Sequence, residues 1–121
     1  MDVLIEQIMR THDLDREKAE QAVGTMLSVL ATEGDGAKVE ALFAAMPGAA
    51  QLAAANPARS GLIGTFGGTL VSAYTRLSGL GLSQDRIRAI GESVFTYAER
   101  CTDRQLVRDV VRSVKGLDPF V

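Results

Sequence analysis

Residues 14–48 read LDREKAEQAVGTMLSVLATEGDGAKVEALFAAMPG, and this stretch predicts two amphipathic helices joined by a short connection. Asp15 is a suitable N-cap for the first of them, and Glu17 follows where the helix dipole favours negative charge. Apolar residues then recur at the period of a helix, to about Ala31. Those residues are Ala19, Ala22, Val23, Met26, Leu27 and Leu30.

The connection after the first helix is Gly34–Asp35–Gly36, which ends one helix and starts the next. The second helix is predicted to end sharply at Pro47–Gly48, because proline cannot continue a helix and glycine adopts the left-handed conformation easily. Its apolar stripe consists of Val39, Leu42, Phe43 and Met46.

The same pattern recurs 68 residues further along the chain. With that shift the helix starts coincide, since Asp15 falls on the cap candidate Ser83, and Asp35 falls on Asp103. Thr102 or Asp103 is expected to cap the last helix. The register is kept across two helices and their connection, which favours an internal duplication of a three-helix unit. Two observations oppose an internal duplication. The mid-helix glycines Gly24 and Gly91 miss each other by one position, and the first and fourth helices match only with a shift of about 69.

The remaining segments complete an all-α prediction of about six short helices in an orthogonal array. Residues 1–12 carry a helical apolar stripe, and residues 60–77 form the fourth helix, with Gly79 as the expected left-handed glycine after it. No segment alternates with period two. We therefore expect a single helical domain over residues 1–121, with approximate halves at residues 1–55 and 60–121.

Composition limits the functional classes. A chain of 121 residues is long enough for one domain with a core, and its net charge of −2 makes a nucleic-acid partner unlikely. Cys101 is the single cysteine, which excludes an internal disulfide and a cysteine-based zinc site. The N-terminal residues are acidic where a secretory signal is basic, and the longest uncharged stretches are interrupted by proline or rich in glycine. We expect a cytoplasmic protein without a membrane span.

The fourth predicted helix, SGLIGTFGGTLVSAY at residues 60–74, is rich in glycine. It has neither the preceding strand of a dinucleotide fingerprint nor the lysine of a P-loop. On a helix, small residues lie at every fourth position and form a candidate packing or interaction face. That face consists of Ser60, Gly64, Gly68 and Ser72. We expect it to pack closely against another helix, within the chain or in a homo-oligomer. A kinked segment, a ligand slot and a membrane contact are the alternatives.

Few residues are candidates for chemistry. Cys101 and His12 could form a nucleophile–base pair, although an incidental position for both is the favoured interpretation. Asp13, Asp15 and Glu17 alternate like the start of a calcium loop, but the required glycine is absent. We therefore expect no metal, no cofactor and no enzymatic activity.

Three arginines recur at four-residue spacing on the last predicted helix, at Arg104, Arg108 and Arg112. Guanidinium groups in a row could contact phosphates or an acidic partner, and this row is the candidate anion contact. Asp103 and Asp109 are expected to dilute its charge. A solvated helix face is the simpler interpretation.

Several short motifs resemble a known family. They are AMPGAAQL at residues 45–52, LGLSQDRI at residues 80–87, the aromatic pair Phe95 and Tyr97, and the valine-rich last helix. From about residue 14 onward the chain resembles the VcgC/VcgE family of small bacterial proteins of unknown function. The resemblance implies an all-helical fold and supplies no catalytic or binding residues. Members of that family can carry N-terminal export signals, a pattern from which this chain departs.

The sequence leaves the partner unknown and favours a non-enzymatic protein-interaction or self-associating module. The alternative is a carrier or binder of a small apolar ligand or lipid, because short helices with small residues can enclose a cavity.

Overall fold

The computed structural model describes residues 1–56 and 73–114, and in those ranges it is helical without any strand. The all-α prediction is therefore confirmed. The helices are α1 (Asp2–His12), α2 (Arg16–Glu33), α3 (Gly36–Ala45), α4 (Ala49–Ala55), α5 (Gln84–Cys101) and α6 (Arg104–Ser113). Residues 73–79 are also helical.

The two longest helices, α2 and α5, begin in the same way. The Asp15 carboxylate accepts a hydrogen bond from the backbone N–H of Lys18 at 2.8 Å, and the Ser83 hydroxyl accepts one from the N–H of Arg86 at 3.2 Å. Both caps satisfy an N–H group that the first turn of a helix leaves without a partner. The two helices have 18 residues each and begin 68 positions apart.

Helices α3 and α6 repeat this relation. Asp35 accepts from the N–H of Lys38 at 3.2 Å, and Asp103 accepts from the N–H of Leu106 at 2.7 Å. Each helix has 10 residues, and their first residues are again 68 positions apart. The caps expected at Asp15 and Ser83 are thus formed, and Asp103 rather than Thr102 caps α6.

The turns that precede α2 and α5 also correspond. Asp13 has a φ of 53° and Gly81 a φ of 88°, so both turns pass through the left-handed region at equivalent positions. The prediction that Gly79 is the left-handed glycine is wrong. Gly79 is the last residue of the 73–79 helical segment, and two further residues form the turn before the chain reverses.

Helix α2 is the centre of the fold. It contacts α1, α3, α4, α5 and α6, and its contact with α4 is the most extensive between any two of these helices. A glycine makes that contact possible. A Cβ on Gly24 would lie 2.7 Å from the carbonyl oxygen of Leu52, so the two backbones approach more closely than any side chain would allow.

The end of α4 is fixed by a buried amide. The Nδ2 group of Asn56 donates to the carbonyl oxygen of Leu52 at 3.0 Å, and its Oδ1 atom accepts from Arg76 at 3.4 Å. Asn56 thereby connects α4 to the 73–79 segment, and its polar atoms are satisfied despite burial.

The other helices pack in a reciprocal pattern. α3 contacts α6, and α2 contacts α5; in addition α2 contacts α6, while α3 contacts α5. Helix α1 lies across α2 and α5. The core that results is aliphatic, and its most deeply buried large side chains include Leu4, Ile8, Leu27, Leu42, Met46, Ile90, Val94 and Val110.

Candidate functional site

Helix α6 has two chemically different faces. Its inward face is made of valines, namely Val107, Val110, Val111 and Val114, which are all buried. Its outward face carries Arg104, Arg108 and Arg112, which are all exposed. Successive arginines are four residues apart, which is slightly more than one helical turn and about 6 Å along the axis. The predicted anion contact is therefore an oblique row about 12 Å long on the solvent side of the helix.

The acidic residues of α6 are directed away from this row. Asp103 is the N-cap, and its carboxylate is bonded to the backbone of Leu106. The Asp109 carboxylate lies 3.6 Å from the Lys38 ammonium group of α3 and accepts from Gln105 at 2.9 Å. The expectation that these two acids dilute the charge of the row stays a prediction.

One end of the row does have an ion pair. Arg104 lies 4.0 Å from the Glu99 carboxylate, a distance at the limit of a salt bridge, and 69% of its side chain is exposed. Such exposed pairs contribute little to stability. Arg108 and Arg112 form no ion pair with any residue of the two described ranges.

The arginine row has mixed effects on the stability of α6, because Arg112 lies in the last turn, where the helix dipole favours a cation. Arg104 lies in the first turn, where the positive end of the helix dipole disfavours a cation. Like charges at four-residue spacing also repel, by about 0.2–0.5 kcal/mol per pair in an isolated helix. The row contains two such pairs.

Helix α3 provides an internal reference for this face. The residues 68 positions before the three arginines are Gly36, Glu40 and Ala44, which are also exposed. Helix α3 has the same length, the same type of cap and an equivalent buried stripe. The fold therefore tolerates an outer face without arginine at this position.

The predicted nucleophile–base pair is not assembled. The amino group of Met1 donates to the phenol oxygen of Tyr97 at 3.4 Å, which places the start of α1 beside the end of α5. His12 is at the other end of α1, near Arg86 in the first turn of α5. Eleven residues of helix separate the two ends by about 16 Å, so His12 and Cys101 do not meet.

His12 is a buried residue whose Nε2 atom has no hydrogen-bond partner in the described parts of the chain. Burial, and to a smaller extent the positive charge of Arg86, lower the pKa of the imidazole below its ordinary value. The neutral form is therefore favoured at the α1–α5 contact.

At the opposite end of that contact, Tyr97 lies beside Cys101 on α5. Burial and a hydrogen bond with the Cys101 thiol raise the pKa of the Tyr97 phenol above its ordinary value.

The calcium-like run is part of a turn and a cap. Asp13 adopts the left-handed conformation, Asp15 is bonded to the start of α2, and Glu17 lies within that helix. Within residues 1–56 and 73–114, no group of three or more His, Cys, Asp or Glu residues is arranged to hold a metal ion.

An apolar cavity of about 70 Å³ lies between α2, α5 and the 73–79 segment. Its walls include Met26, Ala73, Leu77, Gly91 and Val94. The candidate packing face formed by Ser60, Gly64, Gly68 and Ser72 lies outside the described residues.

Comparisons with protein-family models, with curated proteins and with solved structures found no match to this chain. The resemblance to the VcgC/VcgE family therefore stays a prediction. None of the described helices is both long enough and apolar enough to cross a lipid bilayer.

Proposed function

We propose that this protein is a non-enzymatic protein-interaction module, built by duplication of a three-helix unit whose helices pack as an orthogonal array. The equal lengths, equivalent caps and constant spacing of α2–α3 and α5–α6 support the duplication. The exchange of contacts between these helix pairs supports a rough two-fold relation.

The observation that carries the proposal is the difference between two equivalent surfaces. The outer face of α6 carries Arg104, Arg108 and Arg112, whereas the outer face of α3 carries small residues and Glu40. Because Arg104 lies at the unfavourable end of the helix dipole and the row contains two repulsive pairs, we attribute the row to a function outside the fold.

Site-specific photo-crosslinking in cells tests this proposal. A photoreactive residue replaces Gln105 on the outer face of α6, and the matched control replaces Ala37, the exposed residue 68 positions earlier on α3. We expect polypeptide adducts from position 105 and few from position 37. Equal yields at the two positions, or no adduct at position 105, would contradict the proposal.

Self-association is the narrower form of this function. It was expected from the glycine-rich face at Ser60, Gly64, Gly68 and Ser72, and it remains a proposal. Light scattering over a range of protein concentrations is the test. A molar mass that stays at 12.9 kDa up to high concentration removes self-association and leaves binding to a different protein.

The second candidate is a binder of a small apolar ligand, and the cavity between α2 and α5 favours it. The cavity volume of about 70 Å³ limits the ligand, because a dry cavity that admits benzene is roughly 150 Å³. Native mass spectrometry of protein purified from cells tests this candidate. A retained ligand that is lost in Ala73→Leu would support it, since Ala73 is a buried wall residue.

A further inference from the structure

We infer that the arginine row of α6 docks an acidic α-helix of a protein partner, whose carboxylates recur at four-residue spacing. This inference rests on the proposed function and adds the chemistry of the partner. It concerns the face formed by Arg104, Arg108 and Arg112, which we call the arginine face.

The spacing of the three arginines along α6 matches that of carboxylates on a second helix. Arginines at positions i, i+4 and i+8 of one helix are about 6 Å apart along its axis. Carboxylates at the same spacing on a second helix have the same separation, so two helices that cross at about −50° make the two rows parallel and bring three pairs into register. A guanidinium group binds a carboxylate through two parallel N–H···O hydrogen bonds, which gives each pair a preferred geometry.

Two of the three guanidinium groups have no ion pair within the described ranges. Arg108 and Arg112 have no acidic partner among residues 1–56 and 73–114. The nearest carboxylate on their own helix, that of Asp109, is held by Lys38 and Gln105. Within the described ranges, a partner therefore does not have to displace an ion pair from these two arginines.

The arginine face is narrow, which suits an acidic helix better than a nucleic acid. The arginine face is flanked by carboxylates on both sides, Glu99 towards α5 and Asp109 towards α3. DNA carries about one charge per 1.7 Å of helix axis on two strands, and its phosphates would extend over both flanks. The net charge of −2 opposes such a polyanion further. A single acidic helix presents its carboxylates on one face and does not extend a row of phosphates over both flanks.

The experiment is an NMR titration of the full chain with three synthetic helical peptides of equal length. The first peptide has glutamates at positions i, i+4 and i+8, the second has glutamines there, and the third has the same three glutamates placed on different sides of the helix. We expect amide shifts concentrated in α6 with the first peptide. The affinity should fall at least about fivefold between low and high salt, because exposed pairs are screened.

Two protein variants with the same change of charge make the test specific. Arg108→Glu reverses the centre of the arginine face, whereas Arg88→Glu reverses an exposed arginine of α5 outside it. We expect Arg108→Glu to weaken binding of the first peptide at least about tenfold and Arg88→Glu less than about threefold. Amide spectra of both variants report whether the fold is retained.

Several results would overturn the inference. One is the absence of α6 shifts at about 1 mM of the first peptide in low salt, a concentration that detects even weak complexes. Equal binding of the first and third peptides would remove the requirement for spacing. Tighter binding of an oligothymidylate at the arginine face would identify a nucleic acid as the occupant. A dimer that Arg108→Glu abolishes would identify a second copy.

Failure of this inference is distinguishable from failure of the proposed function. Crosslinks at position 105 without peptide binding would retain an interaction module and exclude an acidic helix as its partner. The absence of crosslinks would contradict the module itself.

Discussion

The helix pairs α2–α3 and α5–α6 have the same framework and different surroundings. Their lengths, caps and spacing are equal, yet α2 is buried on several sides while α5 is buried along one stripe. Gly24 on α2 contacts α4 directly, whereas the residue 68 positions later, Glu92, is exposed. Positions 68 residues apart therefore differ in burial: α2 is the centre of the core, whereas α5 has an exposed side among the described residues.

The largest difference between the pairs should be found in the core. Leu27 on α2 is fully buried, and its equivalent on α5, Phe95, is only partly buried. We expect Leu27→Ala to lower the free energy of unfolding by about 3–4 kcal/mol, and Phe95→Ala to cost less than half as much. Urea denaturation of both variants measures this. Equal losses would mean that the two helices are equally central.

The next effect concerns the contact between α2 and α4. A Cβ at position 24 would lie 2.7 Å from the Leu52 carbonyl oxygen, and backbone atoms cannot move as easily as a side chain. We expect Gly24→Ala to cost about 1–3 kcal/mol of unfolding free energy.

The control for Gly24→Ala is Gly79→Ala, since a Cβ at that helical glycine meets no atom within 4 Å. Alanine at this position should raise stability by up to about 1 kcal/mol, through its higher helix propensity. If both substitutions changed stability by the same amount in the same direction, the close α2–α4 approach would not be the cause.

The caps provide a test of equivalence. Asp15→Ala and Ser83→Ala each remove one hydrogen bond to a backbone N–H at the start of an 18-residue helix. We expect each substitution to cost about 1 kcal/mol, with similar values for the pair. Thermal unfolding of the two variants at the same pH is the measurement. A negligible loss of stability at either position would contradict the equivalence of the two helix starts.

A substitution in the arginine face should change the free energy of unfolding less than the cap substitutions do, and should raise it instead of lowering it. Arg108→Glu replaces two repulsive pairs, with Arg104 and Arg112, by two attractive ones. We expect the free energy of unfolding to rise by about 0.5 kcal/mol at low salt and by less at high salt. A loss of stability at low salt would show that the row stabilises the fold, and would remove one reason for assigning it to binding.

The smallest expected effect is the pH dependence of stability that arises from His12. The residue 68 positions later is the uncharged Leu80. Burial lowers the pKa of His12 in the folded state, so on acidification the unfolded chain binds the proton first. Stability should therefore be complete above the unfolded value of about 6.5 and decrease as the pH falls below it. Unfolding at pH 7.5 and pH 5.5, compared with His12→Gln, measures the difference. An identical pH dependence in the variant would contradict this origin.

Much of the fold was predictable because the signals are local. A cap residue bonds to an N–H three positions away, so Asp15, Ser83, Asp35 and Asp103 could be recognised without knowledge of the tertiary structure. The end of the first 18-residue helix was placed near residue 31, although it continues to Glu33, because apolar periodicity stops before the last turn does. Gly79 was misassigned because two nearby glycines fit the same motif, and only the backbone shows which one is left-handed.

The candidate site was predictable only in part. The four-residue spacing placed Arg104, Arg108 and Arg112 on one side of a helix, since that follows from the helical repeat. The sequence did not reveal that the Asp109 carboxylate lies beside Lys38, because that contact joins residues far apart along the chain. The availability of the arginines depends on that contact.

The sequence by itself determined the helices, their caps and the repeat of 68 residues, because each depends on neighbours within one or two turns. The tertiary structure decided that α2 is central, that Gly24 lies against the backbone of α4, and that His12 is separated from Cys101. The physical reason is that burial and charge pairing depend on which helices meet. Amphipathic stripes specify that a helix has a partner but not which helix that partner is.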